Sequence, residues 1–156
     1  MQSELIIDKI KDWCFIQEPK NYDDHFLFQD LLVKLLRENG WMAYKEYELK
    51  NYPKLNTLNG KIGDRNGFID ICAFGHNKKT AIEYDNGNHI KSKSICKLFC
   101  SNADFPIGIV RGKHGKPFLK FENTAKIKRI ARESGIFNKA IYLIVIENNI
   151  AEWVHV

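Results

Sequence analysis

Two short apolar segments that each carry acidic residues constrain this chain more than any other feature of its sequence. Phe68–Cys72 has Asp70 at its centre, and Ala81–Asp85 contains Glu83 and ends in Asp85. Both segments otherwise have the composition of buried strands. An acid in such a strand is unfavourable unless it is paired or binds a metal ion. The sequence therefore predicts a fold in which these acids share one site.

The alternation of side chains along a strand predicts how the acids are arranged. Glu83 and Asp85 project from the same face of their strand, and antiparallel pairing of the two strands would put Asp70 beside Glu83. Converging carboxylates repel one another, and a hard divalent cation such as Mg²⁺ or Mn²⁺ is the usual reason that they coexist. Such an ion activates water and offsets charge that develops on a phosphate. The alternative is a pair of surface acids on an edge hairpin.

The hydrophobic pattern along the rest of the chain predicts a single α/β domain over residues 1–156. The connection at 50–66 is basic and suited either to a phosphate backbone or to solvent. Pro19 and Asn21 are expected to interrupt the helical pattern between the first two helices. Residues 79–110 are expected to form a right-handed parallel crossover. The predicted elements are helices at 3–15, 23–38, 90–101 and 123–134, strands at 41–49, 67–74, 79–85, 105–110 and 117–121, and a terminal hairpin of 140–147 with 150–156.

Composition restricts the class of partner and the cell compartment. The net charge of +5 favours a polyanionic partner, and the 44% of hydrophobic residues suffices for a core. No apolar run reaches the ~20 residues of a membrane span, and the N-terminal residues lack a secretory pattern, so we expect a cytoplasmic protein with no membrane contact. The four cysteines are expected to be reduced core residues; a zinc site with His76 or His89 is the alternative.

The predicted α-β-β-β-α-β order, with Asp70 on its second strand and Glu83 on its third, resembles the PD-(D/E)XK nuclease superfamily. The resemblance covers roughly residues 23–110 and implies a restriction-endonuclease-like core, a mixed sheet flanked by helices. The first helix and the C-terminal helix and hairpin lie outside that core. The resemblance further implies that Asp70, Glu83 and the backbone carbonyl of Tyr84 bind Mg²⁺ or Mn²⁺ in catalysis. DNA is then the implied substrate, and a homodimer the implied assembly.

One position departs from the family pattern. Asp85 stands where the family usually has lysine, and some members are similar in carrying an acid there, so Asp85 joins the expected catalytic residues. The lysine then comes from the next helix, where Lys91, Lys93 and Lys97 are candidates and Lys93 is preferred.

Other acids and polar side chains are candidates to complete the site. Glu48 is the expected further metal ligand, with Glu46 on the same face of the first strand as the alternative. His25 and Gln29 share one face of a helix and are possible additional ligands; the alternative is a helix face half in solvent.

These residues together predict a metal-dependent endodeoxyribonuclease, a hydrolase of DNA phosphodiester bonds. The alternative, motivated by Asp85, is a non-catalytic DNA-binding or assembly module with a nuclease-like fold. A nuclease directed at RNA is the third hypothesis.

Overall fold

The structure, a computed structural model, describes residues 2–49, 55–57, 60–62, 67–113 and 116–156. Its helices are α1 (Gln2–Ile16), α2 (Pro19–Asp23), α3 (His25–Glu38), α4 (Ser92–Cys100) and α5 (Leu119–Glu133). Its strands are β1 (Met42–Leu49), β2 (Leu55–Thr57), β3 (Gly60–Ile62), β4 (Gly67–Gly75), β5 (Lys78–Asp85), β6 (Phe105–Val110), β7 (Ala140–Val145) and β8 (Ile150–His155).

Six of these strands form one mixed sheet in the order β1-β4-β5-β6-β7-β8. β1, β4 and β5 are antiparallel neighbours, whereas β6 and β7 run parallel to β5, and β8 returns antiparallel to β7. α4 connects β5 to β6, so the predicted parallel crossover and the terminal hairpin are both confirmed. β2 and β3 pair separately.

The helices cover both faces of the sheet. α1 and α3 pack on one face in a core that includes Ile71, Ile82 and Tyr84. α4 and α5 pack on the other face with Ala81 and Leu143. The expected α/β class, a mixed sheet flanked by helices, is thus confirmed.

The chain folds locally as its apolar spacing and caps require. Phe28, Leu32 and Leu36 recur every four residues in α3 and are fully buried, which places one stripe of the helix on the sheet. Asp24 is the residue immediately before α3, and its side chain accepts hydrogen bonds from the backbone N–H groups of Phe26 and Leu27. This cap fixes the first turn of α3.

Three local predictions were wrong or only partly right. The helical pattern is interrupted after Ile16, as predicted, but Pro19 begins α2 and Asn21 lies within it, because the first position of a helix needs no N–H donor. The brief strand predicted at 117–121 is a turn followed by α5, whose first buried residue is Leu119. The connection at 50–66 contains the β2–β3 pair, and its other residues, Lys50, Lys54 and Arg65 among them, lie outside the described residues.

No helix of the described segments is long and apolar enough to cross a membrane. Cys14, Cys72 and Cys96 are buried and Cys100 is partly buried, all four as free thiols, as expected of core cysteines.

Candidate active site

Asp70 and Glu83 face each other where β4 and β5 separate. Register between these strands runs from Gly75 opposite Lys78 to Ile71 opposite Ile82. Asp70 and Glu83 occupy the next step of the same register, where no backbone pair forms. Directly opposed residues of antiparallel strands share a face, so the predicted meeting of these two acids is what the topology produces.

Asp70 replaces a backbone acceptor one step further along, where the register would place Tyr84 opposite Ile69. Its Oδ2 accepts a hydrogen bond from the backbone N–H of Tyr84 at 2.8 Å, in place of the carbonyl that a regular ladder would supply. Its Oδ1 lies 3.5 Å from Nε2 of His25 on α3. Asp70 is therefore held from both β5 and α3, which fixes its carboxylate at the gap between the strands.

Glu83 is the most deeply buried of the three acids, with 3% of its surface exposed. Its Oε1 lies 3.4 Å from Nζ of Lys97, yet within the described chain this oxygen has no hydrogen-bond partner, because the ion pair is poorly aligned for one. Burial raises the pKa of Glu83 well above its usual range, the charge of Asp70 acts in the same direction, and Lys97 opposes both. A carboxyl group in this environment is strongly stabilised by any additional cation.

The hydrogen bonds of Asp85 are with the start of α4. Its Oδ2 accepts the backbone N–H of Lys91 at 2.8 Å and its Oδ1 the hydroxyl of Ser94 at 3.3 Å. Burial raises the pKa of Asp85, and the Lys91 N–H and the Ser94 hydroxyl act against that rise. Both oxygens thus anchor the N-terminal end of α4 to β5.

Of the three lysines expected to replace the motif lysine, the structure brings Lys97 to the acids. Lys93, the preferred candidate, is exposed, and Lys91 reaches Asp85 through its backbone. A helix that follows a parallel crossover runs back along the strand, so the residue one turn beyond Ser94 lies beside Glu83. Helical spacing alone does not say which face of α4 meets the sheet, so Lys97 was a candidate but not the preferred one.

The remaining predicted residues are His25 and Gln29 on α3 and Glu46 and Glu48 on β1. Nε2 of Gln29 lies 2.9 Å from Nε2 of His25 and donates to Oε1 of Glu46 at 3.2 Å. Glu46 sits at the register step opposite Asp70 and adopts a φ of 50°, an uncommon conformation for a strand residue. Glu46 and Glu48 are both exposed, and Glu48 pairs with Phe68 two residues further along β1. The geometry therefore favours Glu46 over Glu48 as the first-strand acid of this site.

The donor set suits a hard cation held by few protein ligands. In the described part of the chain, no three His, Cys, Asp or Glu side chains are grouped closely enough to hold an ion. Asp70 and Glu83 nevertheless form an all-oxygen pair, and Oε1 of Glu83 is buried without a hydrogen bond. Mg²⁺ is commonly bound through one or two carboxylates and keeps several waters, so the pair fits such an ion.

Comparison with known proteins assigns no family or function to this chain. No family model matches the chain, and neither the curated proteins nor the solved structures include a match to it.

Proposed function

We propose that the chain is a metal-dependent endonuclease that hydrolyses phosphodiester bonds in DNA, built on a core of the PD-(D/E)XK type. The observation that carries the proposal is the pair of buried carboxyl groups, Asp70 and Glu83, opposed on neighbouring strands with a lysine 3.4 Å from the deeper one. The net charge of +5 suits a polyanionic substrate.

Each residue of the site has a distinct part in this proposal. Asp70 and Glu83 hold the ion, Lys97 supplies positive charge beside them, and Asp85 fixes α4 so that Lys97 stays in place. Bound Mg²⁺ or Mn²⁺ would lower the pKa of a water molecule and offset negative charge on the phosphate. His25 and the other α3 side chains keep Asp70 oriented toward the gap between the strands.

Cleavage of supercoiled plasmid in Mg²⁺ or Mn²⁺ tests the proposal directly. Asp70→Asn and Glu83→Gln preserve side-chain volume and should each reduce the nicking rate by at least roughly 100-fold, since a lost ligand removes several kcal/mol of charge stabilisation. Glu38→Gln, at an exposed acid of α3, is the matched control and should cut at the unaltered rate. Nicking that survives both site substitutions would refute the assignment.

A second candidate function follows from Asp85. Because both of its oxygens anchor α4, the position that usually carries the motif lysine serves the fold instead. A non-catalytic DNA-binding or assembly module would show salt-sensitive DNA binding and no calorimetric heat with Mn²⁺. Mn²⁺ binding that disappears in Glu83→Gln supports the nuclease and argues against the module.

The resemblance also motivates a homodimer, and RNA is the alternative substrate. A homodimer lets two such sites reach both strands of a duplex, and light scattering of the full chain measures its mass. Parallel assays on RNA and DNA of one sequence distinguish a DNA nuclease from an RNA nuclease.

A further inference from the structure

A cavity of about 460 Å³ lies between the start of α3 and the end of β5, and His25, which lines it, is 3.5 Å from Asp70. This volume lies within the ~300–1,000 Å³ that is typical of small-ligand sites. The residues that line it include an aromatic wall, amide groups and a basic side chain. They are His25, Phe26, Tyr84, Asp85, Asn86, Gly87, His89 and Lys91.

The aromatic wall forms a row of rings that leads from the surface to the acids. Phe26 is 69% exposed in the first turn of α3, and its ring meets that of His25 edge to face at 5.7 Å. His25 stacks on Tyr84 at 5.7 Å with an angle of 18° between the planes, and its Nε2 is 3.5 Å from Asp70. An exposed phenylalanine here adds little to the core, and its open face is suited to stacking with another flat ring.

The polar groups of the cavity suit a nucleotide. Asn86 donates through Nδ2 to the backbone carbonyl of Asp23 at 2.8 Å, which orients its amide. Its Oδ1 is buried and, within the described chain, has no hydrogen-bond partner, so an acceptor remains for an N–H donor such as that of a base. Lys91 is exposed at the same cavity and offers positive charge to a phosphate.

The burial of Asp70 and Glu83, together with the exposed ring of Phe26, determines which form of DNA suits the site. Glu83 is 3% exposed and Asp70 9%, so a phosphodiester bond must enter a recess to approach them. In an intact duplex the bases are stacked inside, so a base can stack on the exposed ring of Phe26 only after it leaves the duplex stack. A single-stranded or unpaired nucleotide avoids that cost, and stacking on exposed rings is how such strands are commonly held.

We infer that this cavity is a subsite for an unpaired nucleotide of a DNA substrate, whose base stacks on the exposed ring of Phe26 beside His25. The inference rests on the proposed nuclease function and narrows its substrate to DNA with single-stranded or extruded nucleotides.

Binding of a single-stranded DNA oligonucleotide that carries one 2-aminopurine tests this, with Ca²⁺ as the divalent ion. The full chain should bind the single strand at least roughly tenfold more tightly than the matching duplex, and stacking should quench the 2-aminopurine fluorescence. Phe26→Ala should weaken binding by roughly 5- to 150-fold, and Phe26→Trp should restore it. Phe137→Ala is the matched control: Phe137 is 72% exposed and precedes β7 at the opposite end of the parallel strands.

The outcomes separate the subsite from the nuclease function. Equal affinity of Phe26→Ala and Phe137→Ala, or equal binding of single strand and duplex, overturns the subsite even where plasmid nicking requires Asp70. Tighter binding of an RNA strand of the same sequence overturns its assignment to DNA. If binding and quenching depend on Phe26 but the protein shows no metal-dependent cleavage, the nucleotide subsite is supported and the nuclease function is refuted.

Discussion

Replacing Lys97 with methionine should destabilise the metal-free protein, because the buried carboxyl group of Glu83 loses its positive neighbour. Methionine keeps most of the length of the lysine side chain, so the change removes charge more than packing. The loss should be specific to this pair. Lys93→Met, on the exposed side of the same helix, is the control and should change the free energy of unfolding by less than about 0.5 kcal/mol.

The distance between the two charges sets the size of the effect. Nζ of Lys97 and Oε1 of Glu83 are 3.4 Å apart, where two unit charges attract by about 5 kcal/mol at an effective dielectric constant of ~20. The net loss is smaller because Glu83, whose pKa burial already raises, takes up a proton when Lys97 is absent. We expect Lys97→Met to lower the free energy of unfolding by about 1–3 kcal/mol at about pH 8. At about pH 5 the loss should shrink, since protonated Glu83 carries no charge to compensate.

Urea unfolding followed by tryptophan fluorescence in EDTA measures this as a double-mutant cycle with Glu83→Gln. The double variant should be about as stable as Glu83→Gln alone, because glutamine needs no counter-charge. Free energies that add to within about 0.5 kcal/mol at about pH 8 would show that Lys97 does not stabilise Glu83, and the reasoning would fail.

Three further predictions follow. Because the folded chain holds the Glu83 proton more tightly than the unfolded chain does, the urea midpoint of the metal-free protein should fall between about pH 5 and about pH 8, and Glu83→Gln should flatten that fall. Gly108→Ala should lower stability by about 1–3 kcal/mol in thermal unfolding, because its Cβ would meet a side-chain carbon at 2.6 Å; Gly87→Ala, with no atom within 4 Å, should change it by less than about 0.5 kcal/mol. Iodoacetamide should label Cys100 before Cys14 in mass spectrometry, because burial raises the pKa of the fully buried Cys14 thiol, and equal labelling of the two would contradict the packing of α1.

The opposed acids were predictable from strand periodicity together with the short turn that joins the two strands. Alternation fixes the face of each side chain, and the turn between Gly75 and Lys78 sets the register that puts Asp70 opposite Glu83. The parallel crossover from β5 to β6 was equally predictable, since a strand, a helix and a second buried strand follow one another closely.

The remaining parts of the site depend on backbone detail that the sequence does not encode locally. Glu46 reaches the Asp70 step with a positive φ, which strand propensity gives no reason to expect at a glutamate. The preference for Lys93 over Lys97 arose because helical spacing alone does not fix which face of α4 meets the sheet. The contact between Ser94 and Asp85 sets that rotation.

The backbone amide of Tyr84 donates a hydrogen bond to Asp70, so an ion that binds Asp70 also affects the contact between β4 and β5. An ion that draws Oδ2 of Asp70 away leaves a buried amide without its acceptor, a loss of about 1–3 kcal/mol that binding has to exceed. An ion that leaves the bond intact must instead use Oδ1, on the side where His25 lies. The strand pairing thereby selects which carboxylate oxygen is available for coordination.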